Sequence, residues 1–251
     1  EAGSLDHSVV TQKLHISAPT IKSLEKEGVL EIEVSKEYRN PVNHLESKGY
    51  HLTLNEQQQR VVDRITENIE QGEQKKYLLK GVTGSGKTEV YMELIAHTIA
   101  SGKQAIVLIP EIALTFQTVM RFYNRFGDRV SIMNSRLSQG ERYDQYLRAK
   151  NGDIDIMIGP RSALFAPFSK LGLIIIDEEH ESSYKSETVP KYHARETAIE
   201  RARQNGASVV LGSATPSLDS YYHAKNGEYE LLELTQRVQE KPLPNCEVID
   251  L

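Results

Sequence analysis

From Leu54 onward the chain alternates between two hydrophobic rhythms. Short apolar runs rich in β-branched residues, KYLLKGV, QAIVLIP, VSIMNS, IDIMIGP, LGLIIIDEE and ASVVLGSAT, are mostly separated by stretches with apolar positions at helical spacing, such as 89–100 and 194–204. Strands alternating with helices predict an α/β fold, a parallel sheet covered by helices on both faces, with ligands beyond the carboxyl ends of the strands. Residues 1–39 have a different pattern. A short helix, a turn at 17–19, a second helix bearing Ile21 and Leu24, with Val29 near that face, and an alternating tail of Leu30, Ile32 and Val34 predict a small winged-helix domain. Lys22, Glu25, Lys26 and Glu27 on the second helix nearly cancel, so both DNA-groove binding and a packing or protein-docking role stay open. Residues 40–53, polar and containing Pro41 and Gly49, predict a linker, which leaves 54–251 as the α/β domain.

Composition narrows the partners. The 251 residues are enough for one or two domains, and no apolar run reaches the roughly 18 residues of a membrane span. A net charge of −5 argues against binding nucleic acid over the whole surface and leaves room for a local basic groove. The single cysteine, Cys246, allows no internal disulfide and no thiolate-rich zinc site, which fits a reducing cytoplasm.

The chemistry begins after the first run. GVTGSGKT places Gly81, Val82, Thr83, Gly84, Ser85, Gly86, Lys87 and Thr88 between a predicted strand and a predicted helix. Backbone amides freed by glycine can turn toward phosphate oxygens, Lys87 can reach the outer phosphates, and the Thr88 hydroxyl can bind Mg2+. The run of Ile174, Ile175 and Ile176 ends in Asp177, positioned to share that Mg2+, and Glu178 follows as the residue suited to orient or deprotonate water.

Taken in order, GVTGSGKTEVY, LIPEIALT (108–115), IGPRSALFAPF (158–168), IIIDEEHESSYK and LGSATPSLDSY resemble the PriA family of replication-restart helicases, within the D-E-A-H group of superfamily 2. The resemblance spans about residues 52–222. It implies a RecA-like P-loop lobe that binds ATP and Mg2+, with Lys87, Asp177, Glu178 and His180 as the catalytic set and Gln58 reading the adenine edge. It further implies single-strand contacts at Thr115, Arg161 and Ser162. His180, Ser213 and Thr215 would couple nucleotide state to DNA grip. The segment 181–195, with Tyr184, Lys185, Lys191, Tyr192, His193 and Arg195, matches an aromatic-rich loop that would stack on bases, hold phosphates and report DNA to the ATP site.

The implied activity is ATP-dependent 3'-to-5' unwinding that remodels stalled or abandoned forks and starts primosome assembly. The implied partners are single-stranded and forked DNA and primosome and restart proteins, with single-strand binding protein a further candidate. A monomer in the bacterial cytoplasm, at the nucleoid, is expected. No Q-x-x-G-R motif and no cysteine pairs follow GSATPS, so the sequence reads as a fragment lacking the second lobe, weak or inactive alone, with zinc expected only in the full-length protein. A nucleotide-dependent DNA- or protein-binding module, or a RecG-like superfamily 2 translocase, are the alternatives.

Overall fold

The computed structural model describes residues 5, 9–32 and 53–238. The chain divides into two compact units, Glu1–Glu37 and Tyr38–Leu251. In the first, Val9–Lys13 forms a π-helical turn and α1 spans Ala18–Lys26. The expected turn at 17–19 is instead the start of α1. The Ser17 side chain accepts from the Thr20 amide as N-cap, and Pro19 falls in the first helical turn, where its missing amide costs nothing. Ile21 is buried, whereas Val29 lies past the helix and is exposed. Leu30 and Ile32, expected in a wing strand, are irregular, and Val34 lies outside the described residues.

Among the described residues, the second unit holds a seven-stranded parallel sheet in the order β3-β4-β2-β5-β6-β1-β7. The strands are β1 (Lys76–Gly81), β2 (Gln104–Leu108), β3 (Val130–Ile132), β4 (Ile156–Gly159), β5 (Leu171–Asp177), β6 (Ser208–Ser213) and β7 (Glu230–Leu234). The helices are α2 (Glu56–Glu70), α3 (Lys87–Ala100), α4 (Phe116–Phe126), α5 (Gln139–Asn151), α6 (Ala194–Asn205) and α7 (Leu218–Lys225). All six apolar runs form strands. The edge strand β7 was not among them, since Leu231 and Leu232 stand side by side and break any strict alternation; it pairs in parallel with β1 from Tyr77↔Glu230 to Gly81↔Leu234.

Alternate residues of each strand enter one of two cores. Leu78, Ile106, Ile174, Ile176 and Leu211 enter one core together with α6, whose Ala194, Ala198 and Ala202 recur every four residues. Tyr77, Leu79, Val107, Ile175 and Val210 face α2 and α3 through Val61, Ile65, Val90 and Ile95. Both faces are covered, so the strands read as continuous apolar runs. Each fully buried isoleucine of β5 contributes about 1.5–3 kcal/mol relative to exposure. Among the described residues, no helix is long and apolar enough to cross a membrane.

Strand order creates the site. β6 lies between β1 and β5, so the turns that leave these three strands emerge side by side on the carboxyl edge of the sheet.

Candidate active site

The glycine-rich turn runs from the end of β1 to Gly86, the N-cap of α3. Gly86 has φ +80°, and a Cβ there would lie 2.1 Å from Gln58 Nε2, so both conformation and space require glycine. Gln58 is buried. Its side chain accepts from the Asn55 amide, closing a capping box on α2, and its Nε2 donates to the Ser85 carbonyl at 2.9 Å. The residue expected to read adenine therefore ties the two elements together, its Oε1 on the α2 cap and its Nε2 on the turn. Val82, Thr83 and Gly84 are exposed at the rim.

Lys87 extends from the first position of α3 back across the turn. Its Nζ donates to the Gly81 carbonyl at 3.1 Å and lies 3.7 Å from Glu178. A P-loop implies a nucleoside triphosphate with Mg2+, and the residues present fit that group. Among the described residues, the buried Ser85 hydroxyl has no hydrogen-bond partner, and the start of α3 has no side-chain cap for its free amides. Thr88 and Asp177 offer the hard oxygen ligands that Mg2+ prefers.

Asp177 closes β5. Burial raises its pKa above the usual carboxylate value, with the neighbouring Glu178 charge acting in the same direction, against the Tyr91 hydrogen bond and Lys87. The Tyr91 hydroxyl donates to its Oδ1 at 2.9 Å. Glu178 then turns the chain with φ +47°, a left-handed conformation that costs a non-glycine residue about 1–2 kcal/mol. Next, His180 Nδ1 lies 2.7 Å from Ser213 Oγ at the end of β6, and the same hydroxyl accepts from the Thr215 amide. The turns after β5 and β6 are thus directly joined.

The segment after His180 departs from expectation at two residues. Tyr184 is not available to a base: it is buried, and its hydroxyl donates to the Leu108 and Asp177 carbonyls at 3.1 and 2.6 Å. An apolar ring with satisfiable polar neighbours is more stable inside, and burial pushes its pKa far up. Arg195 is not a free phosphate ligand either. It is buried at the start of α6, and its guanidinium meets Glu179, Ser217 and Ser220 at 3.4, 2.9 and 3.0 Å. Glu179, whose side chain is fully buried, accepts from the Ser217 amide and from both serine hydroxyls. By contrast, Lys185 and Lys191 are exposed, and Tyr192 is half-buried, edge-on to Phe165 at 5.3 Å between ring centroids. His193 caps α6 by accepting from the Arg195 amide, and burial lowers its pKa.

Among the described residues Arg161 meets no carboxylate, yet it does not stand free. It donates to the Ser183 and Lys185 carbonyls at 3.0 and 2.7 Å and so fixes the loop's path. Arg161 and the exposed Ser162 line an open groove of about 320 Å³ with Pro110, Glu111, Asn134 and Arg142. Thr115 is exposed outside that lining, as the N-cap of α4. Sequence reasoning missed Tyr91, Glu179, Gly212, Ser217 and Ser220. Glu179 carried a faint signal as an acidic residue directly after a strand-end carboxylate pair.

Residues 55–223 match the model of the DEAD/DEAH box helicase family. The replication restart protein PriA of Bacillus subtilis (strain 168) is 47% identical over 241 residues, covering 96% of this chain and 30% of that protein. The PriA of Chlamydia pneumoniae is 42% identical over 239 residues, covering 92% and 31%. The chain therefore spans about a third of the length of these relatives. Among solved structures, RecG bound to a three-way DNA junction matches with a TM-score of 0.57 at 23% identity, covering 76% of this chain and 25% of that one, a likeness of fold.

Proposed function

Because the chain belongs to the DEAD/DEAH box helicase family, we propose that its second unit is the ATP-binding RecA-like lobe of a replication-restart DNA helicase, preceded by a winged-helix module at 1–39. Helicases of this family use a nucleoside triphosphate and Mg2+, and bound Mg2+ neutralises charge on the phosphates. Thr88 and Asp177 hold that ion, Lys87 leaves the Gly81 carbonyl for the outer phosphate oxygens, and the turn amides and Ser85 cradle the rest. Glu178 orients or deprotonates the attacking water. His180 and Ser213 pass the state of this site to the turn after β6, while Lys185, Lys191 and Tyr192 meet DNA beside the groove at Arg161 and Ser162. In the longer protein this lobe drives 3'-to-5' unwinding of stalled or abandoned forks and the start of primosome assembly, acting with restart proteins and single-strand binding protein.

One observation carries the reading: Lys87 Nζ stands 3.7 Å from Glu178 across adjoining turns of the sheet, bringing the P-loop cation to the strand-end acid. Glu178→Gln in the full-length protein tests it. The expected variant binds ATP with unchanged affinity and loses ATP-driven unwinding. Retention of unwinding would refute the motor, and retention of the cellular role without unwinding would favour a binding module.

A further inference from the structure

Tyr91 lies on α3 three residues after Thr88, a spacing that puts both side chains on one helical face. Its ring is buried, and its hydroxyl donates to Asp177 Oδ1 at 2.9 Å. The ring reaches the carboxylate through a notch in β6. Gly212 pairs with Asp177 in the sheet, and a Cβ at Gly212 would stand 1.7 Å from the Tyr91 hydroxyl and 2.8 Å from Cζ. Gly212 has no left-handed φ to explain it. The glycine is needed for close approach. The Asp177 backbone is held separately, its carbonyl accepting from Tyr184 and Glu179, two residues on, donating its amide to the Gly212 carbonyl at 3.0 Å. Main-chain placement and side-chain orientation therefore have different anchors.

We propose that Tyr91, admitted by the missing side chain at Gly212, is a positioning residue that locks the rotamer of the Asp177 carboxylate for the divalent cation. The proposal rests on the reading of Asp177 as the Mg2+ ligand. A donor fixing one carboxylate oxygen leaves the other aimed at the ion, and outer partners of this kind typically change metal affinity about 10–100-fold. The glycine of GSATPS then has a function in metal binding, through a tyrosine of the P-loop helix.

The test is Mn2+ titration, by electron paramagnetic resonance in the presence of ADP, of the wild-type chain, Tyr91→Phe and Gly212→Ala, with ADP affinity in EDTA and the thermal midpoint measured alongside. Expected is at least a roughly tenfold loss of Mn2+ affinity in Tyr91→Phe, with metal-free ADP binding unchanged, and a similar loss in Gly212→Ala. Mn2+ affinity within twofold of wild type, or tighter, in Tyr91→Phe overturns the proposal while leaving the ATP-site reading intact. Equal losses of metal-free ADP binding and Mn2+ affinity in both variants, with lowered melting, assign Tyr91 a packing role only and also overturn it. If the wild-type chain shows no ADP-dependent Mn2+ site, the functional reading fails together with the proposal.

Discussion

Replacing Arg195 with methionine keeps much of the side chain's apolar length and removes the guanidinium that joins α6 to Glu179. Two of its ion pairs contribute little, because the Glu196 and Asp219 side chains are 60% and 77% exposed. The Glu179 pair is different: its side chains are 0% and 9% exposed. Removing one partner of a buried pair costs about 3–5 kcal/mol, much of it from the charge left behind. Glu179 would retain the Ser217 amide, the Ser217 hydroxyl and the Ser220 hydroxyl at 2.7, 3.0 and 2.7 Å. Those three donors keep the carboxylate solvated, so the loss falls to about 2–3 kcal/mol. At roughly 2–4 °C per kcal/mol for a domain of this size, the thermal midpoint should drop by about 4–12 °C. Thermal and urea denaturation of Arg195→Met, Glu179→Gln and the double variant measures it. The double should be less destabilised than the sum of the singles by about 1 kcal/mol or more. A midpoint within about 1 °C of wild type for Arg195→Met, or additivity within about 0.5 kcal/mol, would refute the buried-pair reasoning.

Asp177→Asn should stabilise the nucleotide-free chain at neutral pH. A carboxylate whose folded pKa is raised by burial, with the Glu178 charge assisting, binds its proton more tightly folded than unfolded, so its ionised form costs stability above the folded pKa. The advantage of the variant should shrink as pH falls through the raised pKa toward the ordinary carboxylate value, and melting curves across that range check the sign. Alanine at the exposed Lys185 and Lys191 and at Tyr192 should lower DNA-stimulated ATPase in the full-length protein without changing basal hydrolysis, with a small drop in melting from the lost Phe165 contact. Undiminished stimulation in the triple variant would remove DNA sensing from this loop.

Where the apolar pattern was strong, the fold was legible. Six strands surfaced as runs because each is buried on both faces, and α3 and α6 showed helical spacing between them. β7 was overlooked because its edge position leaves Glu230 and Glu233 partly exposed, which reads as a polar segment. The closeness of the glycine turn to the strand-end carboxylates was expected because both follow apolar strands of one parallel sheet, and Lys87 and Glu178 do meet. Tyr184 and Arg195 were misjudged for a shared reason. An aromatic or cationic residue in a polar loop has the same composition whether it faces DNA or folds back, and only the path fixed by Arg161 and Glu179 decides. Tyr91 and Gly212 could not be linked at all from sequence, since their contact depends on strand order bringing β6 between β1 and β5.

The most direct measurement is a crystal structure with a non-hydrolysable ATP analogue and Mg2+. Lys87 Nζ should have left the Gly81 carbonyl to stand about 3 Å from an outer phosphate oxygen, with the ion between Thr88 and Asp177 and the Tyr91 hydroxyl still on Oδ1. An analogue bound away from the glycine turn, or an ion that approaches neither Thr88 nor Asp177, would contradict the assignment of this edge of the sheet as the ATP site.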